Sequence, residues 1–270
     1  ILNNYTKLLY AHRNDYIENF DCIRLDSYKI DNYTNNVTLS TSMIKCFDHL
    51  ATNFAMDYKI DNGITLRKIF ENMNKLPDLE DSQLANQIGI NSLVFLNDNN
   101  LLIPKRGKNA TISKNMTTSS IAMGCEIDKC DLKKELNFDI LFTNNILKGI
   151  SERLNLPKEF VSKMKIDIRF LGFGRIIEWG GKPQFYFLVH LNINARDYIY
   201  NSININKKGN IIDKEKNILI VNNIELIKDS NYIKLSYINQ KRLLLHNKIK
   251  VKVKTFQAET SFFCNCYHFK

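Results

Sequence analysis

The chain has 270 residues, of which 44% are hydrophobic and 24% charged, and its formal net charge is +10. That balance is too apolar for a disordered chain, and the length suits one large domain or one domain with a smaller companion. The positive excess points to anionic partners such as nucleotides, nucleic acid or lipid headgroups, although abundant Lys, Asn and Ile are also what an AT-rich genome produces.

Taken in chain order, residues 2–20 read as a helix that mixes Leu8, Leu9 and Tyr10 with His12, Arg13 and Asp15. Residues 41–57, TSMIKCFDHLATNFAMD, read as a clearer one. Met43, Ile44, Phe47, Leu50, Ala51 and Phe54 recur at the spacing of a buried stripe, and Thr41 or Ser42 can cap it. A further helix runs from Thr65 to Met73, between Asn62-Gly63 and Leu76-Pro77-Asp78. Residues 1–85 are therefore expected to form a helical N-terminal extension packing on a core domain, residues 86–270.

The texture changes after Asn86. INSLVFL (90–96), the turn NDNN (97–100) and LLIPKR (101–106) read as a β-hairpin. Residues 107–145 are irregular around a short apolar centre, Ile121-Ala122-Met123-Gly124. ILKGISERLNL (146–156) is an amphipathic helix, closed by Asn155-Leu156-Pro157. Two strands follow, KIDIRFLGFGRII (165–177) and QFYFLVHLNIN (184–194), joined by EWGGKP. KIKVKVK (248–254) alternates strictly and reads as a solvated, lysine-edged strand that resists aggregation.

Six cysteines at no repeated spacing do not make a disulfide framework, which fits a reducing, cytoplasmic setting. Cys264-x-Cys266-x-His268 has no second ligand pair and reads as one face of a packed strand rather than a zinc site. No run approaches the ~18 apolar residues of a membrane span. The chain begins at Ile1 and not Met, which leaves room for a preceding anchor or second domain, so attachment to the cytoplasmic face of a membrane stays open.

NQIGINSLVFLNDNNLLIPKRGKNATISKNMTTSSIAMG (86–124), ILKGISERLNL and LGFGRIIEWGGKPQFYFLV (171–189) together resemble the Nudix superfamily. There, a strand pair leads through a Gly-containing loop to a helix of pattern R-E-U-x-E-E-x-G-U, U being aliphatic. Within the superfamily the chain most resembles the SMODS-associated Nudix-like group of bacterial antiphage proteins, found beside cyclic-oligonucleotide synthases in CBASS-type systems. TNFAMDY (52–58), TLRKIF (65–70) and LEDSQLANQIGIN (79–91) are similar to that group's lead-in. The resemblance implies an α+β fold, a Nudix-like mixed sheet sandwiched by helices, with the helical extension in front.

Nudix hydrolysis cleaves a diphosphate linkage with Mg²⁺ or Mn²⁺, hard ions that take oxygen ligands and activate water. The three glutamates of E-U-x-E-E supply those ligands from one helical face. Carried onto this chain, Lys148 takes the Arg position, Gly149 the first Glu, Glu152 the second, Arg153 the third, Asn155 the Gly and Leu156 the last aliphatic. One carboxylate of the three survives, and the loop from Gly124 to Lys148 is about ten residues longer than the family's.

Residues 101–120 carry Lys105, Arg106, Lys108 and Lys114 and no acid. With Arg153 and Arg175, these cations suit a phosphate-bearing ligand, and Phe173 or Tyr186 could stack on a base. The resulting expectation is a catalytically inactive sensor that needs no metal or other cofactor. It would bind a cyclic di- or oligonucleotide, as a homodimer, and relay to an effector segment outside this chain, one able to lie in a membrane. The alternative is an active Nudix hydrolase using Mg²⁺ held by Glu152 with Glu126 or Glu135. A basic module for long nucleic acid is a third reading, and no RNA- or DNA-binding motif supports it.

Overall fold

The N-terminal part is built on a long antiparallel hairpin. Strands β1 (Asp21–Asp31) and β2 (Asn36–Lys45) pair from Asp21↔Lys45 through to Asp31↔Asn36, with a register shift between Leu25 and Ser27. Cys22, Ile23 and Leu25 are buried. The computed structural model describes residues 5, 19–31, 36–70, 76–106, 116–127, 138–208, 218–226, 232–238 and 245–252. They divide into two compact units, one of residues 1–89, 124–141 and 173–185, the other of residues 90–123, 142–172 and 186–270.

This hairpin corrects the expected helix over 41–57. Residues 41–45 belong to β2, and the helix α1 (Cys46–Ala51) begins only after them. Met43 and Ile44, counted in a helical stripe, lie opposite Ile23 and Cys22 on the neighbouring strand. Cross-strand pairing and the β-branched run of Val37, Thr38 and Thr41 override a periodicity that fits a helix equally well. The cap also moves: Lys45 occupies the N-cap position, and its backbone N–H donates to the Asp48 carboxylate at 2.8 Å. The described residues of 1–85, expected as helical, are thus strand as well as helix. Of the helix expected over 65–73, α2 (Leu66–Phe70) is described and residues 71–73 lie outside the described residues. Of the helix expected over 2–20, only Tyr5, which is helical, and Asn19 and Phe20, which are not, are described.

Still within the first unit, two loops are held by side chains that reach their carbonyls. The turn between β6 (Ile166–Ile176) and β7 (Lys182–Leu191) passes through a 3₁₀ turn, Ile177–Trp179, and then two consecutive left-handed glycines, Gly180 (φ +60) and Gly181 (φ +79). A β-carbon on Gly180 would stand 2.6 Å from Leu84 Cδ1 and 2.8 Å from Met56 Sδ, so both backbone angle and space demand glycine. Arg67 donates to the carbonyls of Ile177 (3.3 Å) and Glu178 (2.6 Å) while gripping both Asp57 carboxylate oxygens. Asn53 Nδ2 donates to the Trp179 carbonyl at 2.9 Å. Arg24, ion-paired with Asp26, donates to the Ser82 and Leu84 carbonyls. Beneath lies a core of Ala51, Ala55, Met56, Leu66 and Leu84.

The second unit centres on a sheet in the order β10-β9-β8-β4-β3-β7-β6, with β5 (Ile121–Gly124) paired to β3. The expected hairpin is there as β3 (Gly89–Leu96) and β4 (Leu101–Pro104), joined by a turn in which Asn99 is left-handed (φ +57). Strand β4 pairs antiparallel with β8 (Ile218–Leu226), β8 with β9 (Tyr232–Ile238), and β9 with β10 (Leu245–Lys252). The expected strand over 248–254 falls on β10, its last two residues lying outside the described range, as does the Cys264–His268 motif.

The helix expected from 146 is longer at its start, α3 (Phe138–Arg153), and its Phe142, Asn145, Ile146, Gly149 and Ile150 are buried at helical spacing. A short helix α4 (Lys158–Val161) follows, and α5 (Ala195–Lys208) succeeds β7. Tyr198 of α5 is fully buried and donates to the Leu154 carbonyl at 2.8 Å. The class is α+β, with the mixed sheet expected. Among the described residues no helix is long and apolar enough to cross a membrane.

Asn53 is fully buried, and besides its bond to Trp179 its Oδ1 accepts the Asn86 backbone N–H at 2.8 Å. Asn53→Ala strands both groups and should cost about 3 kcal/mol in urea unfolding, since each buried orphan costs ~1–3 kcal/mol. Arg67→Met, on a side chain 26% exposed, should cost distinctly less. The reverse ranking would show that the turn is not anchored through Asn53.

Candidate functional site

Helix α3 carries the positions that the Nudix resemblance singles out. Gly149 is buried against β5: a β-carbon there would stand 2.6 Å from Ile121 Cγ2 and 3.2 Å from Met123 Sδ. The helix therefore lies so close to β5 that this position admits only a hydrogen. Any larger side chain, glutamate included, would have to displace Ile121. Glu152 and Arg153, by contrast, are exposed near the C-terminal end of the helix. Glu152 stands 3.9 Å from Lys148, one turn earlier, so the one surviving carboxylate faces the lysine at the motif's arginine position. Asn155, at the motif's glycine position, is left-handed (φ +56), the conformation that lets a helix end in glycine or asparagine. Leu154 and Leu156 are buried on either side of it.

The other expected ligand residues fall in both units. In the first, Phe173 and Arg175 are two residues apart on β6, hence on one face of the strand. The Phe173 ring is half-buried, meeting Tyr28 edge-on at 4.9 Å and Phe185 at 5.2 Å. Arg175 donates from Nε to the Gly181 carbonyl (3.0 Å) and from Nη1 to the Pro77 carbonyl (2.8 Å), and its buried Nη2 has no hydrogen-bond partner. Burial lowers its pKa from the usual arginine value, partly opposed by Asp78.

In the second unit, Tyr186 is buried within β7. Lys105 is exposed and bridges to Thr117, and the Arg106 N–H donates to the Met116 carbonyl at 2.8 Å, so this segment is laced to 116–118. Lys108, Lys114 and Glu135 lie outside the described residues. Glu126, the other acid considered for a metal, belongs to the first unit, where it bridges to Cys22. Among the described residues no group of three or more His, Cys, Asp or Glu side chains could hold a metal ion.

Sequence reasoning missed a buried polar group in the first unit. Lys182 is 5% exposed, its Nζ 3.1 Å from Gln184 Oε1 and 5.7 Å from the centre of the Trp179 ring. Trp179 packs on Phe54 at 4.6 Å, and Phe54 on His49 at 4.4 Å. His49 is 2% exposed, and its Nδ1 faces Asn53 Oδ1 at 3.4 Å. Because Asn53 Oδ1 is an acceptor, the ring proton belongs on Nδ1, which leaves Nε2 a buried lone pair with no partner. Burial, reinforced by the Lys182 charge, holds the His49 pKa well below the usual value of 6.5. The sequence held a signal for this group: a lysine and a glutamine inside the otherwise apolar and aromatic KPQFYFLV.

No family model and no curated protein matches this sequence. Among solved structures, the crystal structure of DR0079 from Deinococcus radiodurans is similar over 40% of this chain, with 15% identity and a TM-score of 0.28. The match spans 57% of that protein's own chain.

Two tests follow from this geometry. Replacing a mid-helix glycine by alanine ordinarily stabilises by ~1 kcal/mol, but Gly149→Ala should lower the unfolding temperature. Adding Ile121→Ala should then cost less than the sum of the two single changes, and strict additivity would mean that the β5 contact is not what excludes a side chain. Because His49 is more easily protonated unfolded than folded, the stability it confers is full above pH 6.5 and is lost as pH falls below that value toward its depressed folded pKa. Chemical denaturation at stepped pH should show that decline, and His49→Gln should flatten it.

Proposed function

We propose that the chain is a binding module rather than a hydrolase, and that it recognises a nucleotide second messenger, a cyclic di- or oligonucleotide. The carrying observation is Gly149. At the position where the Nudix resemblance implies the first metal-binding glutamate, the helix backbone is pressed against Ile121 and Met123. The third glutamate position is the exposed Arg153, and the second, Glu152, faces Lys148. A helix with this polar face offers a divalent ion one carboxylate and two competing cations. Such a face suits the phosphates of a ligand, which a guanidinium meets with paired, charge-assisted donors. Lys105 and Arg106 add positive charge in the same unit.

In the antiphage role that its resemblance suggests, the module would dimerise around a two-fold symmetric ligand and relay binding to an effector segment, one able to lie in a membrane. Calorimetric titration with a panel of cyclic di- and oligonucleotides, in chelator and without metal, tests this. Saturable binding by one member is expected, weakened at least tenfold by Arg153→Glu. Silence across the panel would overturn the reading. Release of a nucleoside monophosphate from ADP-ribose or a dinucleoside polyphosphate, dependent on Mg²⁺ and lost in Glu152→Gln, would replace it with the hydrolase.

A further inference from the structure

Two thiols in the first unit are placed to react with each other. In the β1–β2 hairpin, Asp21 lies opposite Lys45 and Cys22 opposite Ile44, so the next residue, Cys46, falls opposite Phe20, to whose carbonyl its N–H donates at 3.0 Å. Cys46 opens α1 directly after β2, and its bond to Phe20 carries the pairing one step past Lys45, so Cys46 sits diagonally across from Cys22. They belong to one buried cluster with Leu50, walled by Phe20, Ile44, Phe47 and Phe54, and both thiols are free.

The two thiols lie close enough to perturb each other's ionisation, and the Cys22 S–H points to the Phe20 carbonyl at 3.8 Å. The neighbouring thiol, with burial, raises the pKa of Cys22, and against burial it lowers that of Cys46. Gln87 Nε2 donates to Cys22 Sγ at 2.7 Å, so an amide N–H is already in place for a thiolate there as well. Cys46 is 9% exposed, whereas Cys22 and Cys125 are fully buried.

We propose that Cys22 and Cys46 are a reversible dithiol site that exchanges with low-molecular-weight disulfides to form an internal Cys22–Cys46 disulfide. The Cys46 thiolate attacks one sulfur of the small disulfide, forming a mixed disulfide and releasing one small thiolate. Cys22 then gives up its proton to solvent and attacks the Cys46 sulfur, closing the internal bond and expelling the second small thiolate. In sum, two protein thiols and one small disulfide become one protein disulfide and two small thiols, with two electrons passing to the small molecule. Order follows from access and charge, because Cys46 is the more exposed and the more easily ionised of the pair.

The test treats the native 270-residue chain with excess oxidised glutathione, blocks remaining thiols, and maps non-reduced tryptic peptides by mass. Peptide 14–24, which holds Cys22, and peptide 46–59, which begins with Cys46, should appear linked, two hydrogens lighter than their sum. Dithiothreitol should abolish the link. The oxidised protein should melt at a higher temperature than the reduced one and return on reduction, a readout that needs no variant. Cys46→Ser should leave Cys22 unmodified, and Cys22→Ser should retain glutathione on Cys46. A wild-type chain that keeps glutathione on Cys46 without closing the ring, or that links Cys22 to another cysteine, overturns the proposal.

Discussion

The carbonyl groups of one tight turn are the constraint on which the first unit depends. Residues 177–181 expose a row of backbone acceptors where two left-handed glycines forbid any strand ladder, and buried acceptors must find donors. Asn53, Arg67 and Arg175 supply them, each from a different part of the sequence. Arg175 and Arg24 extend the same arrangement to Pro77, Ser82 and Leu84. A guanidinium suits this work because its fixed fork holds several carbonyls at once. Three of the chain's arginines are consequently tied to backbone, which changes how its positive charge is read. Net charge describes the partners a chain attracts only after the cations that bind its own loops have been set aside.

In the second unit the corresponding constraint is the closeness of α3 to β5. Gly149 permits it, Ile121 and Met123 fill the space, and Phe142, Ile146 and Ile150 bury the rest of the helix face. Asn155 ends the run by turning left-handed, which places Leu154 and Leu156 in the core and lets Tyr198 close over the Leu154 carbonyl. The same glycine that closes the contact admits no side chain, polar or apolar, at that point of the helix.

Much of this was legible in the residues. The hairpin around NDNN, the two strands around EWGGKP, and the buried rib of Ile146, Ile150 and Leu154 all follow from short apolar runs broken by turn formers. The β1–β2 hairpin was not, because the alternation of Ile23, Arg24, Leu25 and Asp26 is cut short by the register shift between Leu25 and Ser27. Helix α5 carried a readable start that was passed over: Asn194 Oδ1 accepts the Asp197 N–H at 2.9 Å, and the Asp197 carboxylate accepts from Asn194 Nδ2. The roles of Arg175, Lys182 and His49 had no local signal of comparable strength. A cation in an aromatic strand can face a ligand, a carbonyl or a ring, and only the approach of distant segments decides which.

The chain has a single tryptophan, and it is held between the Phe54 ring and the Lys182 ammonium. Its emission colour thus reports on that aromatic edge, that charge and the water reaching a partly buried ring, all within the first unit. Intrinsic fluorescence becomes a private optical channel for that unit, while far-ultraviolet dichroism averages over every helix and strand. Comparing the two signals during unfolding distinguishes a protein that melts as one cooperative body from one that comes apart in stages, with no label introduced.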